Sequence, residues 1–129
     1  SVIGYDGSET MVEPEVAATV SWSQEAIDTV RQGMRQVMTD GTASRYFKNV
    51  TAYTAAGKTG TAQTGIDGRS DHGVFIGYAP YDNPEVAIAV VLENGTSRPS
   101  TRLAKTMLDA YFASKDAGVA PTPEGELLP

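Results

Sequence analysis

Residues 55–63, Ala-Ala-Gly-Lys-Thr-Gly-Thr-Ala-Gln, hold the densest set of groups able to do chemistry. Gly57-Lys58-Thr59 invites a phosphate-binding loop. That loop needs Gly-x-x-x-x-Gly-Lys-Thr, with a strand before it and a helix starting at the lysine. Here the first glycine position is Ala52, and Thr-Gly-Thr-Ala-Gln-Thr-Gly after Lys58 is a poor helix start. No helix N-terminus is then on offer to a phosphate, and the nucleotide reading fails. On a strand the same residues could serve a different chemistry. A strand can set the Lys58 ammonium beside a reactive serine carried by a neighbouring element. Gly60 lets a substrate backbone come close. Thr61 offers a hydroxyl and a backbone N–H to an anionic ligand or a developing oxyanion. For the triad alone, a surface strand with one solvated lysine is the plain alternative.

Other candidates are weaker. His72, the only histidine, starts a strand beside a turn and reads as structural or solvated. Without cysteine or a second histidine it makes no metal site. Trp22 reads as a staple or core contact at a helix start. Asn49-Val50-Thr51 and Asn94-Gly95-Thr96 fit the glycosylation sequon, a pattern that arises easily by chance.

The elements that must carry Lys58 follow from local pattern. Residues 2–20 read as a hairpin turning at Asp6-Gly7, with Pro14 at an edge or bulge. A helix follows, capped by Ser21 or Ser23, with Ser21 and Gln24 at capping-box spacing. Ile27, Val30, Met34, Val37 and Met38 form its apolar stripe, the methionines as core filling, and Asp40-Gly41 ends it. Three strands come next: "AGKTGTAQT", "HGVFIGYA" and "EVAIAVVLE". The apolar run "VAIAVVL" suggests a central strand buried on both faces. A last helix begins near Pro99 and buries Leu103, Met107, Leu108, Tyr111 and Phe112. The order predicts an α+β domain, an antiparallel three-strand meander covered by helices, over residues 1–115, with a loose tail at 116–129.

Composition bounds the function. The 129 residues suffice for one domain, and 40% hydrophobic with 20% charged is the balance of a globular chain. The net charge of −6 argues against a nucleic-acid partner. Six acidic residues and no basic one precede Arg31, which reads as a solvated acidic face. Absence of cysteine excludes disulfides and thiolate metal sites and suits a bacterial extracytoplasmic protein. The longest apolar run, Val86 to Leu92, is far short of a membrane span, so no membrane contact is expected of this segment. With no signal-peptide pattern at its start, the chain reads as cytoplasmic or as an excised piece.

"MRQVMTDGTA", "AAGKTGTAQ", "HGVFIGYAP", "VAIAVVLENG" and the final "AYF" occur in that order at strand-sized spacing. Together, from Ser21 to Phe112, they closely resemble the C-terminal part of the transpeptidase domain of penicillin-binding proteins, nearest the class B type. Lys-Thr-Gly is a signature of that group and of serine β-lactamases. The resemblance implies a D,D-transpeptidase that cross-links peptidoglycan outside the cytoplasmic membrane, with no cofactor or metal. It implies catalytic roles for Lys58, which supports the serine, and for Thr61, whose N–H is an oxyanion donor. The Thr61 hydroxyl is implied to hold the carboxylate of a D-Ala-D-Ala stem or a β-lactam. Thr59 and Gly60 are implied to shape the substrate strand, and Gln63 to contact a substrate lying along it as an added strand. One departure is visible: many relatives carry an aromatic residue where Val74 stands.

The resemblance also implies a Ser-x-x-Lys nucleophile and a Ser-x-Asn box, and neither occurs here. Tyr81-Asp82-Asn83 imitates a Tyr-x-Asn variant, but it lies in a Pro-flanked turn on the wrong side of Lys58. The chain therefore reads as the last third of a catalytic domain, inactive by itself, whose partner is the remainder of that domain. A serine β-lactamase, a β-lactam sensor and a non-catalytic peptidoglycan-binding relative stay open as alternatives.

Overall fold

The computed structural model describes residues 2–13, 15–16 and 18–118. Three strands form one antiparallel sheet in the order β3 (Ala56–Ala62), β4 (His72–Ala79), β5 (Val86–Leu92). The expected meander is present, and β4 is its central strand. The register pairs Lys58 with Ile76, Gly60 with Val74, and Val90 with Phe75. Before the sheet come α1 (Gln24–Thr39) and the single turn α2 (Ser44–Phe47), and after it α3 (Ser97–Asp116).

The hairpin expected over residues 2–20 is shorter than its pattern suggested. β1 (Val2–Ile3) and β2 (Glu9–Thr10) pair over two residues each, around the Asp6-Gly7 turn. Residues 11–13 and 18–23 carry no regular structure, and Pro14 lies outside the described residues. Trp22 is 69% exposed, so it is not the core contact expected. The tail expected from 116 lies outside the described residues from 119 onward.

α1 starts one serine later than the capping-box spacing implied. Ser23, in extended backbone, accepts from the Ala26 N–H at 3.2 Å, leaving Ser21 outside the helix. Replacing Ser23 by Ala should therefore cost about 1 kcal/mol of stability, the usual worth of a serine N-cap. Denaturant unfolding checks this, with Ser21→Ala unchanged as the control. On the inward stripe of α1, Arg31 takes the place expected for Val30, which is exposed. Arg31 donates to the Tyr81 carbonyl at 2.9 Å, Arg35 donates to the Ala55 carbonyl at 2.9 Å, and both guanidiniums lie over the Tyr81 ring. These bonds tie the helix to the end of the sheet where β3 begins.

One sheet face is covered by α3, with α1 and α2 completing the core over β3. Phe75 lies at its centre, stacked on Phe47 at 6.1 Å between ring centroids. Gly57 and Gly77 make room for that ring, since an added Cβ would stand 2.9 Å and 3.0 Å from it.

α3 buries a different stripe from the expected one. Leu108 and Phe112 point inward, but Leu103, Met107 and Tyr111 are partly exposed. Ser100, Thr101 and Ala104 take the inward positions. Their small side chains let the helix lie close to β4, and both hydroxyls are satisfied by the Ser97 carbonyl. Tyr53 stacks on Phe112 and donates to Asp109 at 2.8 Å. Burial, followed by that bond, pushes the Tyr53 phenol well above its ordinary range, so it stays protonated.

β5 is not the doubly covered central strand its composition suggested. Among the described residues it ends the sheet, paired only with β4. Ile88, Val90 and Leu92 face the core, while alternation turns Ala87, Ala89 and Val91 to an open face. That face continues through Val74, Ile76 and Tyr78 and past Met34 of α1, so Met38 is the methionine that fills the core.

Candidate active site

β3 is the other terminal strand, and its outer edge is unpaired among the described residues. Two glycines within seven residues leave it few side chains to bury. After Gly57, Thr59 is the one buried residue of the strand. Lys58 and Thr61 are exposed. Alternation sends Lys58 and Gly60 to the open face and Thr59 and Thr61 to the other. A ligand lying flat on either face would meet only one of Lys58 and Thr61. A ligand along the free edge can meet both, together with the unpaired backbone groups. That is the geometry of an added strand.

The Lys58 Nζ donates to the Thr59 carbonyl at 2.6 Å. Thr59 is 8% exposed, and its Oγ1 lies 2.8 Å from the Thr42 Oγ1 in a hydroxyl–hydroxyl hydrogen bond. At Gly60 an added Cβ would sit 3.5 Å from the Val74 Cβ, an ordinary contact. The fold itself therefore tolerates a side chain there, and any need for glycine arises outside the described residues. Gln63 is exposed just beyond the strand, beside a polar hollow bordered by Asp67, Arg69 and Asp71.

His72 is structural, as expected: its Nδ1 accepts from the Asn94 N–H at 3.2 Å. This bond helps fix the turn after β5, where Asn94 has a φ of 53°. Tyr81, Asp82 and Asn83 form the bend between β4 and β5, at the far end of the sheet from Thr61. No cluster of metal-ligating side chains occurs among the described residues. Thr42 falls within "MRQVMTDGTA", a stretch that by itself assigns it no role. Its signal was a hydroxyl straight after the helix-ending Gly41, which gains meaning only once β3 is packed against it.

A three-strand antiparallel sheet with a helix on one face carries the Lys-Thr-Gly-Thr strand at its edge. The family model described as "Penicillin binding protein transpeptidase domain" matches residues 2–111. The chain belongs to the penicillin-binding protein transpeptidase family, and the match reaches further toward the N-terminus than the motifs between Ser21 and Phe112. Penicillin-binding protein 2A of Bacillus subtilis is 36% identical over 118 residues, covering 81% of this chain and 16% of that protein. The peptidoglycan D,D-transpeptidase MrdA of Haemophilus influenzae is 35% identical over 116 residues, covering 77% of this chain and 16% of that protein. Among solved structures, Pseudomonas aeruginosa PBP2 in complex with WCK 5153 superposes with a TM-score of 0.66 at 31% identity. That likeness covers 95% of this chain and 27% of the solved one. The chain thus spans about a sixth of the length of these curated relatives. No described helix is long and apolar enough to cross a membrane.

Proposed function

We propose that residues 1–115 are the C-terminal, Lys-Thr-Gly-bearing segment of a D,D-transpeptidase that cross-links peptidoglycan stem peptides, with 116–129 as a tail. The observation that carries this reading is the free edge of β3, with Lys58 and Thr61 exposed on either side of it. A stem peptide ending in D-Ala-D-Ala lies along that edge as an added strand, and a β-lactam takes the same place. A serine supplied by the rest of the longer parent protein attacks the penultimate D-Ala carbonyl. The oxyanion that forms is met by the Thr61 N–H. Terminal D-Ala then leaves, and the acyl-enzyme passes its acyl group to an amine of a neighbouring stem. Lys58 supplies positive charge and hydrogen bonds to the serine, and the Thr61 hydroxyl holds the ligand carboxylate. Gly60 gives clearance, Thr59 shapes the strand, and Gln63 meets the extended part of the substrate. No metal or organic cofactor takes part. The parent works on the extracytoplasmic face of the bacterial membrane, and the 129-residue chain alone is inactive because it lacks the serine.

Thr61→Val in the parent tests the substrate side. It keeps the shape and the backbone N–H but deletes the hydroxyl. Loss of one hydrogen bond to a charged group should weaken β-lactam recognition by about 1–3 kcal/mol. Concentration-dependent acylation by a labelled penicillin measures this. An unchanged half-saturating concentration would remove Thr61 from the carboxylate site.

A further inference from the structure

We propose that Thr42 is a positioning residue for the Lys58–Thr61 strand, its hydroxyl fixing the middle of β3 through Thr59; the functional half of this rests on the transpeptidase reading above. Among the described residues β3 is paired on one side only, and beyond Gly57 it buries a single side chain, Thr59. Lys58, Thr61 and Ala62 are exposed, so packing does little to hold this half of the strand. Its ties are the ladder to β4 and the 2.8 Å hydrogen bond between the Thr59 and Thr42 hydroxyls. Thr59 is buried while Thr42 is exposed, so the Thr42 hydroxyl is the partner that the buried Thr59 hydroxyl meets on the solvent side.

The turn that presents Thr42 is itself firmly held. The Gly41 N–H donates to the Gln36 carbonyl at 2.9 Å, and the Ala43 N–H donates to the Val37 carbonyl at 3.1 Å. Ala43 on its far side is fully buried. At Gly41 an added Cβ would stand 2.8 Å from the Val37 Cα, so the chain doubles back there against the helix backbone. Thr42 therefore projects toward β3 from a short, anchored loop. α1, through this turn, sets where the middle of the strand lies, and so where Lys58 and the Thr61 N–H stand relative to a ligand on the edge. Reacting groups misplaced by about 1 Å lose on the order of a hundredfold in rate, so a single hydrogen bond at this point has leverage.

The test uses the full-length parent with Thr42→Val and Thr42→Ser, read by labelled-penicillin acylation and by amide hydrogen exchange. Thr42→Val should lower the maximal acylation rate constant by about tenfold or more. The half-saturating concentration should change far less, and all of the protein should still become labelled. Thr42→Ser, which keeps the hydroxyl, should restore the wild-type constant. Exchange in a peptide covering residues 56–62 should speed up in Thr42→Val, while a peptide covering 86–92 stays as it was. A merely structural role would lower the labelled fraction and the melting temperature yet leave the rate constant alone, and that result overturns the proposal. So does a serine variant as slow as the valine one. If the wild-type parent takes no label, the transpeptidase reading falls, and exchange alone decides the tie: unchanged protection at 56–62 in Thr42→Val then refutes it.

Discussion

Lys58→Ala in the parent is expected to slow penicillin acylation by about a hundredfold or more, the scale of losing one electrostatic or proton-transfer group. The side chain has little else to do. Lys58 is exposed, and its one hydrogen bond among the described residues runs to the carbonyl of its own neighbour, Thr59. Its cross-strand partner is the half-exposed Ile76, so no packing collapses when the four-carbon stem is removed. Alanine is tolerated at an exposed strand position, and the melting temperature should scarcely move. Stopped-flow or quench-flow labelling with a fluorescent penicillin, set beside a thermal melt, separates the two effects. A variant that acylates at the wild-type rate would show that this strand does not border the reactive serine.

Phe75→Ala should have a different profile, dominated by a large loss of stability. The ring is fully buried at the centre of the sheet, stacked on Phe47, with Thr59 and Val90 opposite it on the flanking strands. The space around it is lent by Gly57 and Gly77, which have no side chain to swing into a vacancy. The cavity would be filled only in part, by the flexible Met38 beside Gly57, and phenylalanine deletions of this kind cost about 3–5 kcal/mol. Denaturant unfolding should show the midpoint falling with the slope unchanged. A loss below about 1 kcal/mol would mean that the core is not organised around Phe75.

Much of this arrangement was legible locally. The three strands announce themselves through β-branched, aromatic and glycine-punctuated runs, and both long helices through their periodicity and serine or proline starts. What the sequence hid depends on distant partners. α2 is four residues long, too short for any period to show, yet its Phe47 completes the core against Phe75. The stripe of α3 was misplaced because Ser100 and Thr101 look polar, although the helix's own Ser97 carbonyl satisfies them in burial. The inward position of Arg31 is explained by Tyr78 and Tyr81, some fifty residues downstream, whose hydroxyl and carbonyl accept from its guanidinium.

The candidate site divides the same way. Lys58, Gly60 and Thr61 could be named from the motif, since Lys-Thr-Gly requires no knowledge of packing. Their placement on opposite sides of a free edge needed the register with β4. The role of Thr42, inside "MRQVMTDGTA", could not be read from sequence, because it lies in one contact across 17 residues.

If this chain supplies one wall of a serine acyl-transfer site whose nucleophile lies elsewhere in the parent, mass spectrometry of the penicillin-labelled parent will locate that nucleophile. The expected result is one covalent adduct per molecule, on a serine in a Ser-x-x-Lys sequence outside these 129 residues, and no adduct on the 129-residue chain treated alone. A parent that never takes the label, or an adduct mapped to any residue between Ser1 and Pro129, would contradict it.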